Sequence, residues 1–201
     1  MISSLIAEQL TLARGDRMLF SGLSFRLSAG QALAVEGANG AGKTSLLRLI
    51  AGFLTPQSGS LTFQTQSGAV SDGEERGQWV GWLGHQDGLK PQLSVREQLN
   101  FFARLYRSAS DPAVLLEEVG LKRQADLSCR YLSAGQRRRL ALARLLASGR
   151  PLWLLDEPFA ALDVNGQDLV ARLMALHCGA GGIVIAATHD PLGLSNQSLR
   201  L

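Results

Sequence analysis

Residues 37–44 read Gly-Ala-Asn-Gly-Ala-Gly-Lys-Thr, the spacing GxxxxGK[ST], set between an apolar run and a helix-like stretch. Glycines let a backbone close around a chain of phosphates, with its amides pointing inward and the following helix offering its positive end. Gly37, Ala38, Asn39, Gly40, Ala41 and Gly42 would form that cradle, and Ser45 would extend it. Lys43 would reach the β- and γ-phosphates, and the Thr44 hydroxyl would ligate Mg²⁺. Further along, Leu152-Trp153-Leu154-Leu155 ends in Asp156-Glu157. Carboxylates at the carboxyl edge of a strand stand where α/β sheets place ligands. Asp156 suits magnesium and its water shell, and Glu157 suits orienting or deprotonating an attacking water. The chemistry these residues could do is phosphoryl transfer from a nucleoside triphosphate to water.

A second anion-binding element opens "LSAGQRRRLALARLL", residues 132–146. Ser133 is a candidate N-cap, and Gly135 leaves the first amides of the helix approachable. One triphosphate already has its cradle at residues 37–44, so this second surface best serves the nucleotide of another subunit. A two-fold dimer satisfies that requirement, each helix start facing the partner's glycine-rich loop.

These groups need a scaffold, and the apolar pattern supplies one. "QALAVEG" (31–37), "PLWLLDE" (151–157) and "GGIVIAATHD" (181–190) are short runs bounded by Gly, Pro or charge, as expected of strands buried on both faces of a parallel sheet. Helical stretches lie between them: "KTSLLRLIAGF", "VREQLNFFARLY", "DPAVLLEEVGL" and the Leu132 segment. Ser94 and Glu97 form a capping box for the second of these, whose Val95, Leu99 and Phe102 fall on one face. The polar stretch 65–78 is expected to be a solvent loop in a β-rich N-terminal part. Arg137, Arg138 and Arg139 are expected on a solvated helix face, Trp79 and Trp82 in strand packing, and His85 at the surface.

The 201 residues fall in the range of one domain, and 46% hydrophobic content is that of an ordinary globular chain. No apolar run approaches the ~18 residues of a membrane span, and the first residues lack a secretory leader, which makes the cytoplasm the expected compartment. Cys129 and Cys178 have neither CxxC spacing nor histidine pairs, so buried inert thiols are expected. A net charge of +3 is too small to indicate nucleic acid.

Taken together, "LSAGQ", "GANGAGKT" and "LLDEP" resemble the motifs of ATP-binding-cassette (ABC) ATPases over the whole chain. The resemblance implies a single α/β domain spanning residues 1–201. It would have a P-loop NTPase core with a mainly parallel sheet, an N-terminal antiparallel β part and an inserted helical subdomain at about 89–135. It implies ATP and Mg²⁺ as cofactors, and Ser133, Gly135 and Gln136 as a signature that contacts the partner's ATP. Gln86 resembles a glutamine that contacts magnesium and water and relays nucleotide state to a membrane partner. Asp163 in "AALD" resembles a residue that crosses the dimer interface. His189 in "ATHD" resembles a switch histidine that donates to the γ-phosphate while its other nitrogen faces the surroundings of Glu157. Catalysis would then fall to Glu157, His189, Gln86 and Lys43, and magnesium to Thr44, Gln86 and Asp156. Where transport ATPases commonly carry an aromatic ring for adenine, this chain has Arg14, whose guanidinium can also stack on a base.

The finer resemblance is to the ATP-binding subunits of bacterial haem exporters for cytochrome c maturation, on "GHQDGLK", "DEPFAALDVNG" and "GGIVIAATHDPL". It implies integral membrane partners, a homodimer of ATP-binding subunits, a peripheral position on the cytoplasmic face of the inner membrane, and no direct contact with haem or nucleic acid. The motifs alone leave room for another transporter's ATPase or a soluble ABC protein acting on ribosomes or DNA. Copurifying membrane proteins or nucleic acid would distinguish those two. A phosphate-loop GTPase would need NKxD, which is absent.

Overall fold

The computed structural model describes residues 1–194 and 197–201. The chain runs β1 (Ile2–Arg14), β2 (Arg17–Ser28), β3 (Ala32–Glu36), α1 (Lys43–Ile50), β4 (Ser58–Thr65), β5 (Gly68–Val70), α2 (Gly73–Gly77) and β6 (Val80–Leu83). It continues α3 (Val95–Tyr106), α4 (Pro112–Glu118), α5 (Ala134–Ser148), β7 (Leu152–Asp156), α6 (Val164–Gly179), β8 (Ile183–Ala187) and β9 (Gln197–Arg200). Two sheets result. An antiparallel sheet has the order β2-β1-β4-β5, and a five-stranded parallel sheet has the order β6-β7-β8-β3-β9.

The continuous apolar runs explain how the parallel sheet sits. In β7 and β8 all ten positions are buried, because alternate residues enter different cores. Leu152, Leu154, Ile183 and Ile185 pack with α1 and the antiparallel sheet. Trp153, Leu155, Val184 and Ala186 pack with α3, α5 and α6 on the other face. A sheet covered on both faces has no solvent side for polar residues to occupy. Its carboxyl edge is therefore free to carry the chemistry, and its faces are fully used for packing.

The Ser94–Glu97 capping box forms as expected, with both reciprocal hydrogen bonds present, each such cap stabilising a helix start by about 1 kcal/mol. Val95 and Leu99 are fully buried, whereas Phe102 is only half-buried and lies under the Arg144 guanidinium. Both cysteines are free and buried, and burial pushes their thiols up from the ordinary value. Trp79 and Trp82 pack against the core beside the antiparallel sheet, with Phe53 set edge-on to Trp82.

Residues 65–78 are not a solvent loop. They form β5 and α2, the latter capped by the Asp72 side chain, which accepts from Glu74 N and Glu75 N. The turn of α2 aims the buried Arg76 at three backbone carbonyls, those of Leu61, Ser71 and Leu49, within 3.2 Å. A polar composition concealed this because an arginine can satisfy carbonyls that a loop would otherwise leave unpaired. No helix among the described residues is long and apolar enough to cross a membrane.

Candidate functional site

The glycine-rich loop leaves β3 and enters α1 at Gly42, which stands at the N-cap with φ 112°. That is left-handed backbone, and a Cβ there would lie 3.2 Å from Leu19 Cβ, so glycine meets both demands. With no side-chain cap, the first amides of α1 remain available to an anion. Lys43, the first residue of α1, is buried. Its Nζ donates to Gly37 O at 2.7 Å and Ala38 O at 3.4 Å, and lies 3.0 Å from His189 Nε2. Thr44 Oγ1 donates to Asp156 Oδ2 at 2.9 Å, joining the start of α1 to the end of β7.

The resulting cleft, about 440 Å³, is lined by Ala38, Asn39, Gly40, Gly42, Lys43, Thr44 and Ser45, faced by Asp156 and Glu157. Arg14 and Arg17 close its far wall from the β1–β2 turn. Arg17, which the sequence did not single out, donates from Nη2 to Gly40 O at 3.2 Å. Its signal was its placement directly across the hairpin from Arg14. His85 stands at the surface as expected, on the rim of the same cleft. β6 ends at the same edge as β7 and delivers the next loop there.

His189 places one nitrogen, Nε2, within 3.0 Å of Lys43 Nζ, 3.3 Å of Asn39 Oδ1 and 3.7 Å of Glu157 Oε1. Nε2 is thus the nitrogen that faces Glu157. Protonation of Nε2 decides which neighbour it bonds, since it accepts from Lys43 when bare and donates to an oxygen when protonated. Gln86 is exposed and does not line the cleft. Glu157 has φ 48° and Ala161 φ 62°, left-handed values that a non-glycine residue rarely takes.

Arg138 departs furthest from expectation. It is 3% exposed rather than solvated. Burial lowers its pKa, with Asp87 the first of the groups opposing that shift. Arg139 instead bonds Asp163 Oδ1 at 3.1 Å.

Ser133 is the N-cap of α5 in a second capping box, its Oγ accepting from Gln136 N at 3.1 Å while Gln136 Oε1 accepts from Ser133 N at 2.9 Å. Gly135 has ordinary helical backbone, and a Cβ there would sit 3.1 Å from Ala161 O. Asp163 caps α6 by accepting from Gly166 N at 2.8 Å, and this amide, then Arg139, holds its carboxyl below the ordinary range. Ser133, Gly135, Gln136 and Asp163 border a separate cleft of about 580 Å³ that shares no residue with the first.

A glycine-rich loop and a paired carboxylate edge on a parallel sheet, with a capped helix start turned to a cleft of its own, define an ATP-binding-cassette ATPase. Residues 20–160 match the family model described as ABC transporter. Over 193 residues the chain is 51% identical to the cytochrome c biogenesis ATP-binding export protein CcmA of Rhodopseudomonas palustris strain BisB5, covering 96% of this chain and 94% of that one. It is 48% identical over 198 residues to the protein of that name from Bradyrhizobium diazoefficiens, covering 98% and 97%. Among solved structures, cbiO1 of Clostridium perfringens, part of the ABC transporter complex cbiONQ, superposes with TM-score 0.75 at 25% identity, over 94% of this chain and 80% of that one. The ATP-binding cassette MJ0796, solved as a post-hydrolysis dimer bound to ADP and Pi, gives TM-score 0.77 at 24% identity, over 92% and 88%; at that identity it speaks for the fold alone. The chain belongs to the ABC transporter family, among the CcmA-type cytochrome c biogenesis ATP-binding export proteins.

Proposed function

We propose that this chain is the ATP-hydrolysing subunit of a membrane complex that exports haem for cytochrome c biogenesis, working as a homodimer on the cytoplasmic face of the inner membrane. The observation that carries this reading is the identity of about half its residues, over nearly its full length, to relatives named for cytochrome c biogenesis and export. Integral membrane subunits would handle the haem, with no contact to it from this chain.

In this reading the amides of residues 37–44 and Lys43 hold the phosphates, and phosphate displaces the Lys43 contacts to Gly37 O and Ala38 O. Among the described residues no group of three or more His, Cys, Asp or Glu could hold a metal alone. Thr44 and Asp156 supply two oxygen donors beside the phosphate cradle. That donor set fits Mg²⁺, which keeps several waters and takes its remaining ligands from substrate phosphates. Bound there, the ion would neutralise charge developing on the β- and γ-oxygens. Glu157 would orient and deprotonate the attacking water, and His189 would donate from Nε2 to the γ-phosphate. Gln86 would have to move inward to join them when nucleotide and membrane partner bind. ATP would favour the closed dimer, and hydrolysis would remove that preference.

A Lys43→Ala strain tests the haem assignment. It should make apo-cytochromes c and fail to convert them to the haem-bound form, while b-type cytochromes and cytoplasmic haem proteins stay loaded. Haem staining of membrane and periplasmic fractions reads this directly. Normal covalent haem attachment, with the stable variant protein unable to hydrolyse ATP, would discard haem export and leave the ATPase reading intact.

The adenine contact we assign to Arg14 at the rim of the cleft. Arg14→Ala should weaken ATP affinity by about two- to fivefold, the ~0.5–1 kcal/mol of an exposed stacking contact. Arg14→Tyr should restore affinity, and magnesium-dependent hydrolysis should survive in both. Titrations with unchanged affinity in Arg14→Ala would move the base contact elsewhere.

A further inference from the structure

Arg138 lies in the second turn of α5, its side chain threaded into the interior at 3% exposure. Its two terminal nitrogens reach different parts of the fold. Nη1 donates to Gly84 O at 2.7 Å and to Asp87 Oδ1 at 3.3 Å, both in the segment that follows β6. Nη2 donates to Asp156 O at 2.8 Å and to Glu157 O at 2.6 Å. A guanidinium is planar and rigid, so its two nitrogens cannot move independently. Whatever shifts residues 84–87 therefore pulls on the peptide units of Asp156 and Glu157.

The Glu157 end of this arrangement is strained. Its φ of 48° is costly for a residue with a Cβ, on the order of 1 kcal/mol, and survives only where the surroundings over-determine it. Three hydrogen bonds do so here: Glu157 N donates to Ala187 O at 2.8 Å, and Glu157 O accepts from Ala160 N at 3.1 Å and from Arg138. Arg138 is the one partner among these supplied by a side chain, and the one that also holds another segment. A buried cation is itself costly unless paired. The half-buried Asp87 and three carbonyls meet that cost while Nε is left without a partner. Such an arrangement is more than packing demands of an amphipathic helix, which could place an apolar residue there.

We propose that Arg138 is a positioning residue for hydrolysis, a two-ended clamp that holds the Asp156–Glu157 backbone in register and ties it to residues 84–87. This rests on Glu157 acting on the attacking water. The clamp acts through Glu157, and Arg138 itself does not line the cleft. It places the carboxylate where displacement of about 1 Å costs up to ~10² in rate.

Arg138→Gln and Arg138→Lys test it in the assembled membrane complex, beside Glu157→Gln. Glutamine is neutral and short, and a lysine ammonium cannot span both acceptor pairs. Both variants should bind ATP with KM within about twofold of wild type, while kcat falls by about 10–10²-fold and the ATP-bound closed dimer accumulates. Lysine, which keeps the charge, should be the milder. A kcat within about twofold of wild type for both, with Glu157→Gln inactive, overturns the clamp alone. Undiminished turnover in Glu157→Gln overturns the clamp together with the Glu157 assignment. Loss of ATP affinity in step with kcat would show a merely structural arginine. Should neither variant fold, Asp87→Ala decides: it loosens the hold on residues 84–87 while leaving Arg138 on its three carbonyls, and should lower kcat at unchanged KM, whereas unchanged kcat refutes the proposal.

Discussion

Glu157→Gln in the reconstituted complex should leave ATP bound and slow steady-state turnover by about 10²–10⁴, the range for losing a general base. The substitution is nearly isosteric, so the left-handed backbone at φ 48° and its contacts to Ala187 and Ala160 can persist. What changes is the group 3.7 Å from His189 Nε2, from a carboxylate that accepts a proton to an amide that does not. Because the phosphate cradle is untouched, nucleotide should accumulate in a trapped closed dimer, detectable by size-exclusion chromatography with ATP and Mg²⁺. Unchanged turnover would end the assignment of Glu157 as the base.

A comparable loss is expected from the other end of the composite site. Gly135→Asp puts a Cβ 3.1 Å from Ala161 O and a negative charge at the start of α5, where the helix dipole and free amides otherwise attract an anion. The homodimeric variant should lose nearly all ATPase activity. The cleft beside Gly135 shares no residue with the cleft beside Lys43, so each defect should be assigned to a different subunit's nucleotide. Mixed dimers with one Lys43→Ala subunit and one Gly135→Asp subunit then have two site types. One combines both defects, and the other is wholly intact. Such dimers should retain one functioning site, measured as ATP occluded per dimer. No functioning site at all would refute the cross-subunit arrangement, since each chain, using its own signature, would then carry one defect in its own site.

Much of this site is written in local sequence because its chemistry is local. A loop that wraps phosphate needs left-handed backbone at fixed intervals, so the glycines of 37–42 and the Lys-Thr after them are legible without a structure. A helix start is marked by its cap, so Ser133 and Gln136 announce α5 as Ser94 and Glu97 announce α3. Strands buried on both faces must be apolar throughout, which makes β3, β7 and β8 plain.

Features that depend on remote partners were hidden. Three consecutive arginines look alike in a sequence. Only the packing of α5 against β7 and the segment after β6 sends Arg138 inward to four acceptors while Arg139 pairs with Asp163. The polar stretch 65–78 reads as loop because the carbonyls that bury Arg76 come from residues as far away as Leu49. His189 is marked by sequence as a histidine after a strand, but that one nitrogen serves Lys43, Asn39 and Glu157 follows from the parallel register of β3, β7 and β8. Sequence alone determined which groups can do phosphate chemistry, because backbone conformation and capping are set by neighbours along the chain. Tertiary structure decided which buried charge holds Glu157 in place, because a desolvated arginine is tolerated only where several distant acceptors converge on it.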